Sequence, residues 1–249
     1  MKFLFLTIFL IFSSLNATQI KVAVAANVSY AMQTLISKFN QTNPDTKVTV
    51  ILGSSGKLTA QISHGAPYDI FMSANMKYPN ALYEKQKTAN KPEVYALGSL
   101  ALLSSKKRDL SAGINILKNK DIKKIAIANP KTAPYGKAAF EALKNANLLK
   151  QTKKKFVYGE SISQTISYAV KATDIGIIAK SSLYSDKMTR FNKNENWIEL
   201  NSKLYTPIKQ GVVIVKNSNE AKAFYDFLLS ADARKIFKNY GYLLPWVYL

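Results

Sequence analysis

Short apolar runs alternate with segments of helical periodicity along most of the chain. The runs are rich in Val, Ile and Leu and are bounded by Gly, Pro and Asn, which is typical of strands. They begin at Ile20, Lys47, Tyr68, Gly98, Lys123, Phe156, Asp174 and Gln210. Helical spacing follows at Met32, Leu35, Ile36 and Phe39, and helices are predicted at Lys57–Gly65, Tyr135–Asn147, Ser163–Ala172 and Asn219–Tyr240.

This alternation predicts an α/β fold with largely parallel sheets flanked by helices. About 230 residues remain after the N-terminal segment, which is enough for one large or two medium domains. The chain contains no internal repeat or low-complexity linker. A chain of this length can also form two lobes and pass between them more than once.

The N-terminus has the pattern of a secretory signal. Lys2 precedes an apolar run from Phe3 to Phe12, and small and polar residues follow up to Ala17. The run is too short to span a membrane. We therefore predict a cleaved signal peptide at residues 1–17 and a periplasmic protein. The chain has no cysteine, so a lipid attachment site, a disulfide framework and a thiolate metal site are not expected.

The charge of the chain is strongly positive, with 35 basic and 15 acidic residues and a formal net charge of +20. Such a balance raises the possibility of a nucleic-acid partner. However, Arg108, Arg190 and Arg234 are the only arginines, and the lysines are scattered. Recognition of phosphates and bases favours clustered arginine with aromatic side chains. We interpret the lysines, including Lys57, Lys137 and Lys180, as a solvated surface, and we expect no nucleic-acid partner.

Four predicted strand-to-helix junctions carry small or polar residues, at Ala25–Met32, Ile51–Ile62, Asn129–Leu143 and Tyr158–Ile166. Ligands of open α/β sheets bind beyond the carboxyl ends of the strands. A helix N-terminus there offers unpaired backbone N–H groups to an anion. On local sequence alone, an ordinary turn with serine or asparagine as the N-cap is the favoured interpretation.

The second junction, "ILGSSGKLTAQI", matches neither of two catalytic or nucleotide motifs. A nucleotide-binding P-loop needs four residues between its glycines, and only two separate Gly53 from Gly56. The Ser-x-x-Lys pattern from Ser54 to Lys57 lacks its two companion motifs elsewhere in the chain. Binding of a free anion remains the simpler functional interpretation.

Several blocks together resemble the periplasmic molybdate-binding proteins of ABC importers. The blocks are "AANVSYAM", "GSSGKLTAQISHGAPYDIFMSAN", "ANPKTAPYGKAAFEAL" and "AKAFYDFLLSADARKIFKNYGY", and the similarity extends from about Ile20 to Tyr242. This resemblance implies a two-lobed class II periplasmic binding fold, in which each lobe is a mainly parallel sheet flanked by helices. We expect lobe 1 at residues 18–97 and 207–249, and lobe 2 at residues 98–206.

The resemblance also implies which residues hold the oxyanion. The family's first ligand falls on Asn27, with its side-chain amide as donor, and the second falls on the hydroxyl of Ser55. Backbone donors fall on Tyr135 and Ile162. One position departs from the pattern, because Ala179 stands where some members have a ligand tyrosine. No catalytic residue and no direct cation ligand are expected.

By this resemblance the protein captures molybdate or tungstate and delivers it to an inner-membrane ABC permease and its ATPase. No cofactor is implied, and we expect a monomer. Another small anion or an amino acid bound by the same fold is the first alternative. An exported enzyme is the second, although a single histidine, no cysteine and no paired acids in the candidate loops disfavour it.

Overall fold

A computed structural model describes residues 18–245 of the chain. The predicted signal peptide at residues 1–17 lies outside the described residues. Within residues 18–245, no helix combines the length and the apolar character needed to cross a membrane.

Ten strands and eight α-helices make up the described fold. The strands are β1 (Thr18–Ala25), β2 (Thr46–Gly53), β3 (Ile70–Ser73), β4 (Glu93–Gly98), β5 (Leu100–Leu103), β6 (Ile125–Ala128), β7 (Phe156–Gly159), β8 (Ile175–Ala179), β9 (Trp197–Glu199) and β10 (Ile208–Ile214). The helices are α1 (Ser29–Phe39), α2 (Ser55–Ser63), α3 (Lys77–Glu84), α4 (Pro134–Asn145), α5 (Leu149–Thr152), α6 (Ile162–Lys171), α7 (Asn219–Leu229) and α8 (Ala231–Asn239).

The strands form two sheets, which define two lobes. The first sheet, in lobe 1, has the order β2-β1-β3-β10-β4, and the second, in lobe 2, has the order β7-β6-β8-β5-β9. The predicted two-lobed α/β class is confirmed. The sheets are mixed rather than mainly parallel, because β10 and β5 each run antiparallel to both of their neighbours. These are the two strands that the chain enters directly after crossing between the lobes.

The predicted strand positions agree with the structure, but four of the strands and α-helices named above had no sequence prediction, namely β4, β9, α3 and α5. The predicted single helix at Asn219–Tyr240 is also wrong, because the chain breaks at Ser230 into α7 and α8. Ser230 adopts an extended backbone conformation, and its side chain accepts a hydrogen bond from the N–H of Ala233 at 3.3 Å. It is therefore the N-cap of a new helix.

The core of each lobe lies on the faces of its sheet. In lobe 1, side chains such as Val22, Leu35 and Phe224 pack on one face, and Leu58 and Phe71 pack on the other. Lobe 2 has one large cluster around Leu102 and Ile127, which also includes Ala25, Ala26 and Ala74 of lobe 1. The chain passes between the lobes at Ser99 and again before β10, so these short segments connect the two lobes. The lobe limits expected from the sequence stay a prediction.

Candidate functional site

A small cleft lies between the lobes, where four helix starts meet the carboxyl ends of the strands. It encloses about 200 Å³ of space between atoms, part of which is open to solvent. The described residues that line it are Ala25, Ala26, Asn27, Gly53, Ser54, Ser55, Ala74, Ala133, Pro134, Tyr135 and Ile162. The structure thus brings the four predicted site residues, Asn27, Ser55, Tyr135 and Ile162, to one place.

The lining of this cleft is small and neutral. Among the described residues that line it, none is a lysine, arginine, histidine or carboxylate. The cavity volume that the centre of a water-sized sphere can occupy is about 10 Å³, far below the range of about 300–1,000 Å³ that is usual for organic ligands. The cleft therefore fits a small ion better than a sugar or an amino acid, and hydrogen-bond donors rather than opposite charges are available to hold it.

Ser55 is held so that its hydroxyl can donate. It is the first residue of α2 and is 1% exposed. The backbone N–H of Ala74, at the end of β3, donates to its Oγ at 2.9 Å. Because Oγ accepts this bond, its own proton is left for another acceptor. The N-cap alternative does not apply to Ser55, since the N-cap of α2 is Ser54.

The first turn of α4 presents the backbone of Tyr135. The N-cap is Ala133, which has no side-chain acceptor, and Pro134 follows as the first helical residue. Since proline has no N–H, the N–H of Tyr135 is the first donor of this helix. The phenol of Tyr135 points into the protein, where burial raises its pKa well above the usual range. It stays a neutral group at physiological pH.

The first turn of α6 leaves the N–H of Ile162 uncapped. Ser161 is the N-cap, and its side chain accepts from the N–H of Gln164, three residues on, at 3.3 Å. The Gln164 side chain reaches back and accepts from the N–H of Glu160 at 2.7 Å. This reciprocal arrangement satisfies donors on either side of Ile162. Glu160 itself is exposed and does not line the cleft.

Asn27 lies in a short 3-10 turn, Ala26–Val28, between β1 and α1. It is 1% exposed, and its side chain does not act as an N-cap. Its Nδ2 donates to Oε1 of Gln210 at 2.9 Å and to the hydroxyl of Tyr242 at 2.8 Å. A longer contact of 3.5 Å reaches the hydroxyl of Tyr135. The amide hydrogens are thus directed at protein acceptors, in contrast to the interpretation in which they face the ligand.

Hydrogen bonds between the lobes close the cleft around these groups. Ser163 Oγ donates to the carbonyl of Ala26 and Ser181 Oγ donates to the carbonyl of Asn27, each at 3.2 Å. Farther out, the hydroxyl of Tyr78 donates to the carbonyl of Lys131 at 3.2 Å. Both lobes therefore contribute to the walls of one closed site.

The lysines near the junctions differ in their environments. Lys57 and Lys137 are exposed, as the solvated-surface interpretation requires. For Lys180 that interpretation is wrong, because the residue is 8% exposed and its Nζ pairs with both carboxylate oxygens of Glu199 at 2.9 Å. Ala179, at the position of the missing tyrosine, is a fully buried residue at the end of β8.

Sequence reasoning missed the polar side chains beneath the site, namely Gln210, Tyr242 and Ser181. Gln210 did carry a signal, because it is a polar residue at the start of the apolar run "GVVIV" and is 0% exposed in β10. Tyr242 and Ser181 had no such signal. Their roles depend on which distant segments meet.

A two-lobed α/β chain with a small neutral cleft between its lobes has the architecture of a solute-binding protein. The chain belongs to the bacterial extracellular solute-binding protein family, whose profile matches residues 20–243. The resemblance to the periplasmic molybdate-binding proteins is also confirmed. The chain is 35% identical over 232 residues to the molybdate-binding protein ModA of Azotobacter vinelandii, covering 91% of this chain and 90% of that protein.

Two further comparisons support the similarity to periplasmic molybdate-binding proteins. The molybdate-binding protein ModA of Rhodobacter capsulatus is 33% identical over 232 residues, with coverage of 91% of this chain and 89% of that protein. The solved periplasmic molybdate-binding protein of Azotobacter vinelandii superposes with a TM-score of 0.84 at 30% identity, covering 91% of this chain and 99% of that one.

Proposed function

We propose that this protein captures molybdate, tungstate or both in the periplasm and delivers the ion to the permease and ATPase of an ABC importer. The observation that carries the proposal is the neutral cleft, closed from both lobes and lined by helix starts. The relatives named as molybdate-binding proteins support the choice of ligand. In this role the chain is a carrier and not an enzyme, and it acts as a monomer.

The chemistry of the cleft suits a tetrahedral dianion. Such an ion only accepts hydrogen bonds at neutral pH, so it needs donors on all sides and no carboxylate nearby. Ser55 offers a hydroxyl, and the starts of α4 and α6 offer the N–H groups of Tyr135 and Ile162. The turn at Asn27 adds a further helix-type N-terminus on the lobe 1 side.

The number of donors accounts for tight binding. A hydrogen bond to a charged group contributes about 1.5–3 kcal/mol. About five such bonds reach the range of −8 to −12 kcal/mol that corresponds to micromolar to nanomolar affinity. Because Ser55 and Asn27 belong to lobe 1 and Tyr135 and Ile162 to lobe 2, the full set of donors exists only in the closed form. Opening of the lobes therefore releases the ion.

The alternative ligands lack their usual partners in the cleft. An amino acid needs a cation for its carboxylate and an acid for its ammonium group, and the lining described above provides neither. Catalysis would need a nucleophile beside a base. Ser55 is paired with a backbone N–H instead of a base.

Thermal-shift measurements test the proposal. Molybdate and tungstate are expected to raise the melting temperature, and isothermal titration is expected to give one site per chain. Sulfate is smaller and leaves donors unpaired, and monohydrogen phosphate brings a proton into a shell of donors, so both are expected to have little effect. Equal stabilisation by sulfate, or stabilisation by an amino acid alone, would overturn the proposal.

A further inference from the structure

Two side chains outside the four junctions hold Asn27 from beneath the cleft. The hydroxyl of Tyr242 accepts from Asn27 Nδ2 at 2.8 Å and donates to the backbone carbonyl of the same residue at 2.9 Å. Oε1 of Gln210 accepts from Nδ2 at 2.9 Å. The amide has two hydrogens, and these two acceptors use both of them.

The direction of these bonds is set by a backbone group. Nε2 of Gln210 donates to the carbonyl of Ile208 at 2.9 Å. A carbonyl only accepts, so Gln210 must keep its Nε2 on that side and its Oε1 towards Asn27. This orientation in turn requires Nδ2 of Asn27 to face Gln210. In this orientation both amide hydrogens of Asn27 face protein acceptors, and its Oδ1 is buried without a hydrogen-bond partner among the described residues.

Tyr242 is itself rigidly placed. The next residue, Leu243, exchanges two backbone hydrogen bonds with Leu97 of β4, at 2.8 and 2.9 Å. The N–H of Tyr242 donates to the carbonyl of Phe237 at 3.1 Å, and its ring packs edge-on against the Phe237 ring at 5.6 Å. A fixed hydroxyl thus holds the side chain and the main chain of Asn27 together.

The turn that is held in this way faces both the cleft and lobe 2. Its carbonyls at Ala26 and Asn27 accept from Ser163 and Ser181 of lobe 2. Since the N–H groups of a helical turn point opposite to its carbonyls, the donors of the turn point towards its N-terminal end. Ala25 and Ala26, at that end, line the cleft.

We propose that Tyr242 and Gln210 are positioning residues of the anion site. They fix the turn Ala26–Val28 through Asn27, so that this turn binds the ion with its backbone N–H groups and not with the Asn27 amide. This inference rests on the proposed function, since it assigns the way in which lobe 1 holds the same oxyanion.

The test is isothermal titration with molybdate on the mature chain and on the variants Tyr242→Phe, Gln210→Met, Asn27→Ala and Asn27→Ala with Tyr242→Phe. Each single variant is expected to bind about 10-fold more weakly, since each loosens the same turn. The double variant is expected to lose less affinity than the two single losses multiplied, because both single variants remove the same bond between the side chains, while the bond from Tyr242 to the Asn27 carbonyl remains in Asn27→Ala. Tyr95→Phe is the matched control, because Tyr95 is buried in the same core and its hydroxyl has no hydrogen-bond partner. The affinity of this variant for molybdate is expected to be unchanged.

The outcomes separate this inference from the proposed function. If the amide of Asn27 were a direct donor, Gln210→Met would free a hydrogen and keep or raise affinity, and the losses of Asn27→Ala and Tyr242→Phe would multiply. Either result, with the unmodified chain still binding molybdate, would overturn the inference alone. Absence of molybdate binding by the unmodified chain would overturn both. Should Tyr242→Phe fail to fold, Gln210→Met and its double variant with Asn27→Ala carry the same comparison.

Discussion

The backbone N–H of Gly56 in lobe 1 donates to the backbone carbonyl of Thr132 in lobe 2 at 2.9 Å. The two main chains approach so closely that a Cβ at position 56 would lie 2.8 Å from the hydroxyl of Tyr78, 3.0 Å from the carbonyl oxygen of Thr132 and 3.1 Å from its Cα. Glycine is needed here for the contact between the lobes and not for its backbone angles. The edge of the cleft therefore closes on a residue without a side chain.

Gly56→Ala is expected to weaken molybdate binding without weakening the fold. The added methyl group would lie 3.0 and 3.1 Å from backbone atoms of Thr132, so the two lobes must separate by a few tenths of an ångström and the closed form is destabilised. Alanine is favoured over glycine in a helix by up to about 1 kcal/mol, so the ligand-free protein should unfold no more easily. Isothermal titration and denaturant unfolding measure the two effects.

A matched control for this variant is Lys57→Ala, at the next position of α2, where the side chain is exposed. Its affinity should stay within a few fold of that of the unmodified chain. At one subsaturating molybdate concentration, small-angle scattering should show compaction in the control and less compaction in Gly56→Ala. Full compaction and full affinity in Gly56→Ala would mean that the lobes close in some other way.

Ser55→Ala is expected to cost both affinity and stability. The lost hydroxyl removes one bond to a charged ligand, worth about 1.5–3 kcal/mol of binding free energy. It also leaves the buried N–H of Ala74 without its acceptor, which costs about 1–3 kcal/mol of unfolding free energy. This second effect appears only in the structure, because Ala74 is not adjacent to Ser55 in sequence.

The control for Ser55→Ala is Ser230→Ala, a loss of the same hydroxyl at a helix N-cap away from the cleft. Its unfolding free energy should fall by about 1 kcal/mol and its affinity should not change. Calorimetry and chemical denaturation of both variants complete the comparison. If Ser55→Ala lowered stability and kept its affinity, Ser55 would be a purely structural residue.

The junctions that line the cleft were predictable because their chemistry is local. Small and polar residues at the ends of apolar runs indicate strand-to-helix turns, and Ser55, Tyr135 and Ile162 lie in first turns of helices. The single helix predicted through Ser230 failed for a related local reason. A serine is compatible with a helix interior by periodicity, and only its extended backbone shows that it is a cap.

The support beneath Asn27 was not predictable, because it depends on contacts far apart in sequence. Gln210 is 183 positions from Asn27, and Tyr242 is 215 positions away. Family resemblance places a ligand on Asn27 but does not determine which of its atoms face the cleft. The same holds for Lys180, whose pairing with Glu199 requires two elements of lobe 2 to meet.

Alkaline pH should destabilise the protein through its buried tyrosines. Burial raises the pKa of Tyr242, and burial followed by the neighbouring Tyr242 raises that of Tyr95, so both stay protonated in the folded chain above pH 10. The unfolded chain, with a tyrosine pKa of about 10, releases these protons. The stabilisation is therefore fully present below about pH 10 and is lost as the pH rises from there through the folded pKa.

Above about pH 10 the free energy of unfolding should fall less steeply when Tyr242 or Tyr95 is replaced by Phe, by up to about 1.4 kcal/mol per pH unit. Denaturant unfolding at pH values from about 9 to 11.5 measures this slope. At neutral pH the two variants should differ. Tyr242→Phe loses two hydrogen bonds and some stability, whereas Tyr95→Phe loses none. If neither variant changed the pH dependence of the unfolding free energy above about pH 10, other groups would control the loss of stability at alkaline pH.

The affinity for molybdate should depend little on salt, although the chain carries a formal charge of +20. The cleft has no charged side chain among its described lining residues, and Lys180 is already neutralised by Glu199. Exposed lysines would instead give a screened interaction, because the Debye length falls from about 30 Å at 0.01 M to about 8 Å at 0.15 M salt. The equilibrium constant from titration should thus be nearly flat between about 0.01 and 0.5 M sodium chloride.

The association and dissociation rates should change with salt, although the equilibrium constant should not. The positive field steers a dianion towards the cleft, so stopped-flow association should slow with salt, and dissociation should slow in proportion. Lys57→Ala, which removes an exposed charge two residues after Ser55, should lower the association rate slightly and leave the affinity within a few fold. A steep loss of affinity with salt, carried by faster dissociation and abolished in Lys57→Ala, would show that lysine holds the ion. Neutral donors at Ser55, Tyr135 and Ile162 would then be an insufficient account of binding.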